Sequence, residues 1–126
     1  MSGTEQGSVV VLPYLPEILE PFETKPQARK LIEADGANLV VLSFKAGQKW
    51  SQHHSIHPII VQVLSGSVDF EVKGRTLRLK PGSPIHLTAH LLHEVRAVED
   101  ATLMVTMLTG EEHRPAKLNL QDIEVF

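Results

Sequence analysis

The chain has 126 residues and a mass of 14.0 kDa, which is the size of one domain. Its formal net charge is −3, and a mildly acidic surface repels nucleic-acid phosphates and anionic lipid headgroups. The sequence contains no cysteine, which excludes disulfides and cysteine-ligated metals. No apolar run approaches the ~20 residues that span a bilayer. We therefore expect a cytoplasmic protein with neither a nucleic-acid nor a membrane partner.

The first 28 residues are predicted to form an extended N-terminal arm. Four prolines between residues 13 and 26 forbid a long helix and disfavour a central strand, and one helical turn is predicted at residues 17–20. The arm is also apolar, with Val9, Val10 and Val11 in succession. Such a segment needs to be covered by other protein surface.

Short strands separated by turn signals are predicted throughout residues 29–110, the β-barrel region. Asp35-Gly36 and Lys73-Gly74 are pairs typical of tight hairpins, and Gly66 is predicted to close a hairpin with positive φ. Residues 68–72 alternate apolar and acidic side chains with the period of a strand. Parallel pairing would need long crossovers that the chain does not contain. The prediction is an all-β, antiparallel sandwich or jelly-roll barrel, with residues 111–126 as a C-terminal tail or edge strand.

Histidine is unusually distributed in this sequence, because six of its seven copies fall into two groups. These are His53, His54 and His57, and then His86, His90 and His93. Neutral imidazole is the commonest metal ligand in proteins. In an extended segment His53, Ser55 and His57 share one face, whereas His54 points to the other. His86 is expected to lie on the surface.

The spacing around both groups resembles the two motifs of the cupin superfamily, the RmlC-like jelly rolls. Gly47, five residues, His53-His54-Ser55, three residues, Ile59, six residues and Gly66 follow the first motif. Gly82, five residues, Thr88-Ala89-His90, two residues, His93, three residues and Ala97 follow the second. The resemblance implies a double-stranded β-helix and covers most of residues 29–108. It also implies a homodimer, with the apolar arm forming part of the dimer contacts.

The resemblance implies a metal site that this sequence only half retains. His53 and His93 stand at two of the four ligand positions, while Ser55 and Ile59 occupy the others. Isoleucine is no ligand, and a serine hydroxyl is a poor one for a first-row divalent ion. A third imidazole, from His57 or from His90, is expected to complete a catalytic set for one divalent ion such as Fe, Mn, Ni or Zn.

Two classes of function follow from this pattern. The first is a metal-dependent enzyme, of the dioxygenase or isomerase type, that polarises a small carbonyl or enol substrate. The alternative is a metal-free module that binds or senses a small molecule without turnover. Both place a ligand inside the barrel, with a predicted pocket wall formed by Trp50, Ser55, Ile59, Val61 and Val63.

Overall fold

The computed structural model describes residues 7–111 and 114–126. Residues 1–6 of the predicted arm and 112–113 of the predicted tail lie outside the described residues. The described part contains one short 3-10 helix, Leu15–Glu17, which is neither long nor apolar enough to cross a membrane. Its strands are β1 (Gln27–Ala34), β2 (Ala37–Phe44), β3 (Lys49–His53), β4 (Ile59–Ser65), β5 (Val68–Val72), β6 (Arg75–Leu79), β7 (Ile85–Leu87), β8 (His93–Ala97) and β9 (Ala101–Leu108).

The strands form two antiparallel sheets whose inner faces enclose one core. The five-stranded sheet has the order β1-β2-β9-β4-β7, and the four-stranded sheet has the order β3-β8-β5-β6. Except for the hairpins β1-β2 and β5-β6, strands that follow each other in the chain do not pair. This alternation between sheets is the double-stranded β-helix, so the all-β jelly-roll prediction is confirmed.

Period-2 patterning decides which side chains fill the interior. Along β5 the apolar residues Val68, Phe70 and Val72 are buried, and the acidic residues between them face outward. Phe44 and Phe70 are the largest fully buried side chains. Some of these core side chains, among them Val61 and Phe70, also border a cavity inside the barrel, which contains the candidate site.

The outer face of the five-stranded sheet is partly covered by the N-terminal segment. The 3-10 helix contacts β4 and β9, and Leu19 just after it is buried. Val41, which points away from the barrel interior, is fully buried there. The helical turn therefore forms at Leu15–Glu17, slightly earlier than predicted, where Pro16 supplies a φ suited to the first helical turn.

One sequence prediction about the fold needs correction. No hairpin joins β4 to β5, because the two strands lie in different sheets, and Gly66 instead turns the chain between sheets with φ of 74°. Strand β3 was not predicted, because its polar side chains mask the period. Of the two alternatives predicted for the C-terminal segment, residues 114–126 follow the tail: they form no strand, and they contact Arg75 at the start of β6 through Glu124 and the ring of Phe126.

Candidate functional site

A β-bulge in β3 directs His53 into the barrel. Trp50 pairs with Val95 of β8, but the next pair along is His53 with His93, so two residues of β3 oppose the single Glu94. In a regular strand Trp50 and His53 would face opposite sides. The extra residue reverses the parity, and both side chains line the same cavity.

His93 is the most enclosed polar group of the site. Its side chain stacks on Phe70, with ring centroids 5.2 Å apart and an angle of 12° between the rings. The centroid of His53 lies 4.3 Å from that of His93, in an edge arrangement. Only 4% of the surface of His93 is exposed, whereas His53 is exposed at the barrel end. The fold thus brings together His53 of the first motif and His93 of the second, the two ligand positions that are still histidine in this sequence.

Both rings are oriented by the same local contact. Nδ1 of His93 hydrogen-bonds the carbonyl oxygen of Leu91 at 3.0 Å, and Nδ1 of His53 hydrogen-bonds that of Ser51 at 3.2 Å. Each carbonyl belongs to the residue two positions earlier. A backbone carbonyl therefore helps to fix the direction of each ring, and for His93 the stacked ring of Phe70 does so as well.

Burial lowers the pKa of His93 below its ordinary value of 6.5. The hydrogen bond to Leu91 acts in the opposite direction, and the neighbouring His53 and His54 lower the pKa further. His93 is therefore neutral in the folded protein at neutral pH, where its imidazole serves as a hydrogen-bonding group rather than a cation.

This lowered pKa predicts an acid-dependent loss of stability. Between pH 6.5 and the lower folded pKa, the unfolded chain binds a proton at His93 that the folded chain does not, so the free energy of unfolding falls as the pH falls. Urea denaturation across this range should show a weaker pH dependence in His93→Gln than in the wild type. The control is His86→Gln, at an exposed position on β7. An unchanged pH dependence in His93→Gln would contradict this assignment.

The two rings form part of the wall of a cavity of about 390 Å³ inside the barrel. Most of its wall is aliphatic or aromatic, and none of the lining residues is Lys, Arg, Asp or Glu. The apolar part of the wall comes from both sheets and consists of Ala28, Val40, Leu42, Trp50, Ile56, Ile59, Val61, Phe70, Val95, Leu103, Val105 and Met107. The polar part consists of His53, His54, Ser55 and His93.

Two loops meet at the barrel end next to His53. The backbone N–H of His90, in the β7-β8 loop, donates to the carbonyl oxygen of Ser55 at 2.8 Å, which ties the loop to the segment after β3. Ile56, 64% exposed, and the exposed His54 both line the cavity here. This end of the barrel is therefore the mouth of the cavity.

Four sequence predictions about individual side chains differ from the geometry. His57 does not line the cavity, because β3 ends at His53 and the strand parity does not extend to it. His54, expected on the opposite face, lines the mouth for the same reason. His90 is exposed, has a left-handed φ of 69° and does not line the cavity. Val63 is buried in the packed core, outside the cavity wall.

The remaining predicted pocket residues, Trp50, Ser55, Ile59 and Val61, all line the cavity. Sequence reasoning missed Phe70 and Val95 of the four-stranded sheet, as well as Leu103 and Val105 of β9. The signal was present in the period-2 pattern of β5 and β8, whereas β9 is apolar at most of its positions and does not show which of its faces points inward. The sequence did not show which buried residues would border a void and which would be packed.

The donor set does not fit the metal centre that the fold family implies. Within residues 7–111 and 114–126 no three His, Cys, Asp or Glu side chains are grouped so as to hold a metal ion. The imidazole of His54 also lines the cavity but is not grouped with His53 and His93 as a ligand set, and two imidazoles fall short of the three protein ligands of a catalytic zinc site. The hydroxyl oxygen of Ser55 accepts the backbone N–H of His57 at 3.1 Å, and Ile59 offers no donor atom. The third imidazole that the sequence predicted is not in the cavity wall.

The jelly-roll topology and the cavity inside the barrel define a small cupin. Solved structures support this class. A conserved protein of unknown function from Streptococcus pyogenes, SPY1581, is 22% identical, with a TM-score of 0.70 over 89% of this chain and 98% of the other. An RmlC-like cupin protein from Desulfovibrio desulfuricans is 25% identical, with a TM-score of 0.72 over 80% and 98%.

A third similar structure is an uncharacterized conserved protein with a double-stranded β-helix domain from Klebsiella pneumoniae. It is 19% identical, with a TM-score of 0.71 over 82% of this chain and 93% of the other. A comparison with curated protein sequences finds no significant match. The family model of the AraC-like ligand binding domain matches residues 43–115, which include every strand from β3 to β9. The chain belongs to this family.

Proposed function

We propose that this protein binds a small, largely apolar molecule inside the barrel and acts as a binding or sensing module. The observation that carries the proposal is the cavity of about 390 Å³, within the size range of small-molecule sites. Its wall is apolar apart from a few polar groups near the mouth, which is the usual arrangement of such sites. Membership of a ligand-binding family supports the same function.

The metal-dependent enzyme is the less supported of the two functions predicted from the sequence. A cupin barrel alone does not supply the side chains that bind a metal ion. Of the four histidines expected as metal ligands, the described residues bring only His53 and His93 together in the cavity wall. A neutral imidazole in an apolar cavity is nevertheless a capable hydrogen-bond acceptor or base. The two histidines are therefore assigned to ligand recognition.

Trp50 provides a direct test of binding. It is the only tryptophan of the chain and lines the cavity, so a ligand that enters the barrel should change its fluorescence. Butylbenzene is a suitable neutral apolar probe. We expect a saturable change in the wild type, and the absence of any saturable change or binding heat would contradict the proposal.

Filling the cavity should abolish this binding. Val40 of β2 lines the cavity, and Val40→Phe adds a ring to that wall; we expect affinity for butylbenzene to fall at least tenfold. The matched control is Leu39→Phe, the neighbouring residue on the outer face of the same strand. Titration calorimetry gives the affinities, and thermal denaturation shows whether each variant is folded. Equal losses in both variants would place the binding outside the barrel.

We also propose that the protein is a homodimer whose contacts include the N-terminal arm. Val9, Val10 and Val11 are 84, 66 and 85% exposed, and Tyr14 is 69% exposed. Four large apolar side chains so close together form an exposed patch of the kind that marks protein contacts. Light scattering at micromolar concentration should give twice the chain mass of 14.0 kDa. The variant Val9→Ser/Val11→Ser should weaken the dimer, and a wild-type mass of one chain would contradict the proposal.

A further inference from the structure

The hydrogen bonds of the two cavity histidines determine which of their nitrogens face a ligand. A backbone carbonyl oxygen only accepts hydrogen bonds, so Nδ1 of His53 and Nδ1 of His93 each carry the hydrogen that the carbonyls of Ser51 and Leu91 accept. In a neutral imidazole the other nitrogen then holds a lone pair. Each ring thus presents Nε2 as an acceptor.

Neither Nε2 atom has a partner among the described residues, since each ring makes only the one hydrogen bond to its carbonyl. No buried side-chain nitrogen or oxygen within that part of the chain is both sealed from solvent and without a partner. The free nitrogen of the buried His93 is therefore reached from the cavity. With the ring centroids 4.3 Å apart, the site places two acceptors side by side next to the mouth.

The rest of the wall limits what the two acceptors can bind. None of the lining residues is Lys or Arg, so a carboxylate or phosphate would enter without a counter-charge. None of the lining residues is Asp or Glu, so an ammonium group would also enter without a counter-charge. A sugar would leave most of its hydroxyls against aliphatic side chains, which costs free energy for each unpaired group. The free-energy costs of burying unpaired charges and hydroxyls therefore favour a neutral and mostly apolar ligand.

We propose that the cavity binds a neutral, largely apolar molecule that carries one hydroxyl group, such as a phenol, and that this hydroxyl donates to Nε2 of His53 or His93. The apolar body then lies deeper in the barrel, against the row of Trp50, Val95 and Phe70. Ser55 lines the same cavity, and because its hydroxyl oxygen accepts the His57 N–H, its hydroxyl hydrogen remains as a donor. This inference rests on the proposed function and adds the chemical class of the ligand.

The test compares para-butylphenol with para-butylanisole, which has the same apolar body but no hydrogen to donate. Titration calorimetry with EDTA present excludes a bridging metal ion. We expect the phenol to bind about tenfold more tightly than the anisole, the size of effect that one hydrogen bond gives. The variants His53→Phe and His93→Phe each remove one acceptor, and position 53 is exposed, so its replacement should leave the fold intact. In both variants the ratio of phenol affinity to anisole affinity should decrease, while anisole still binds.

The outcomes separate this inference from the proposed function. Equal binding of phenol and anisole by the wild type would overturn the hydroxyl assignment and leave the apolar pocket standing. A preference that persists undiminished in both histidine variants would also overturn it, as would one that appears only without EDTA. Failure of phenol, anisole and butylbenzene alike to bind would overturn the proposed function itself.

Discussion

Replacing Gly66 with alanine is expected to lower the free energy of unfolding by about 3 kcal/mol, and the melting temperature by roughly 10 °C. Two effects add. Gly66 has a φ of 74°, a left-handed conformation that costs an L-residue about 1–2 kcal/mol. A Cβ there would also overlap the carbonyl oxygen of Asp100 and lie 2.9 Å from the Cα of Ala101, and overpacking costs about 1–3 kcal/mol.

The close approach at Gly66 arises because the β4-β5 turn packs against the turn between β8 and β9. The N–H of Val98 donates to the carbonyl oxygen of Ser67 at 3.0 Å, and the hydroxyl of Ser67 donates to the carboxylate of Glu99 at 2.9 Å. These bonds hold the two turns together. Neither turn is therefore free to retreat from an added methyl group.

Gly36→Ala is the matched control for Gly66→Ala. Gly36, in the β1-β2 hairpin, has a φ of 79°, but a Cβ added there meets nothing within 4 Å. It carries the backbone cost alone, about 1–2 kcal/mol. Urea denaturation of both variants gives the comparison, and a Gly66→Ala loss no larger than that of Gly36→Ala would show that the two turns are not in close contact.

Phe70→Ala is expected to destabilise the protein by about 3–5 kcal/mol, the range for removing a buried phenylalanine. Phe70 is 1% exposed, packs in the core and stacks on His93. Its loss extends the cavity and removes the surface that holds His93 in place. Denaturation in urea gives the free energy, and calorimetry with butylbenzene should show altered affinity.

Phe44→Ala separates these two effects. Phe44 is also 1% exposed and belongs to the same core, but it does not line the cavity. We expect a similar loss of stability with little change in butylbenzene affinity, measured at a temperature where each variant remains folded. A change in affinity as large as that of Phe70→Ala would indicate that the cavity extends to Phe44.

The sequence predicted the strands well where side chains alternate strictly. β5 follows from the alternation of apolar and acidic residues, and the hairpins at Gly36 and Gly74 follow from turn chemistry. It predicted β3 poorly, since only Trp50 in Lys49–His53 is apolar. The pairing of this strand is decided by β8, whose paired residues lie 40 to 47 positions further along the chain.

The candidate site was only partly accessible from the sequence, because parity arguments hold within a regular strand. They placed Val61 correctly, inside β4. They failed for His54 and His57, because the chain leaves β3 after His53 and each residue then takes the direction that its loop imposes. They also could not show that His53 and Trp50 face the same cavity, since that depends on a bulge in the pairing with β8.

By itself the sequence determined the all-β class, the jelly-roll resemblance and the two histidines that the motifs retain, since composition, period and spacing are local properties of the chain. Only the tertiary structure decided that His53 and His93 lie side by side in a mostly apolar wall, and that their Nε2 atoms are the free ones. Which imidazoles meet and which atoms remain unpaired depend on the packing of β3 against β8 and on the loops at the mouth. Those contacts join residues far apart in the chain, which a local pattern does not encode.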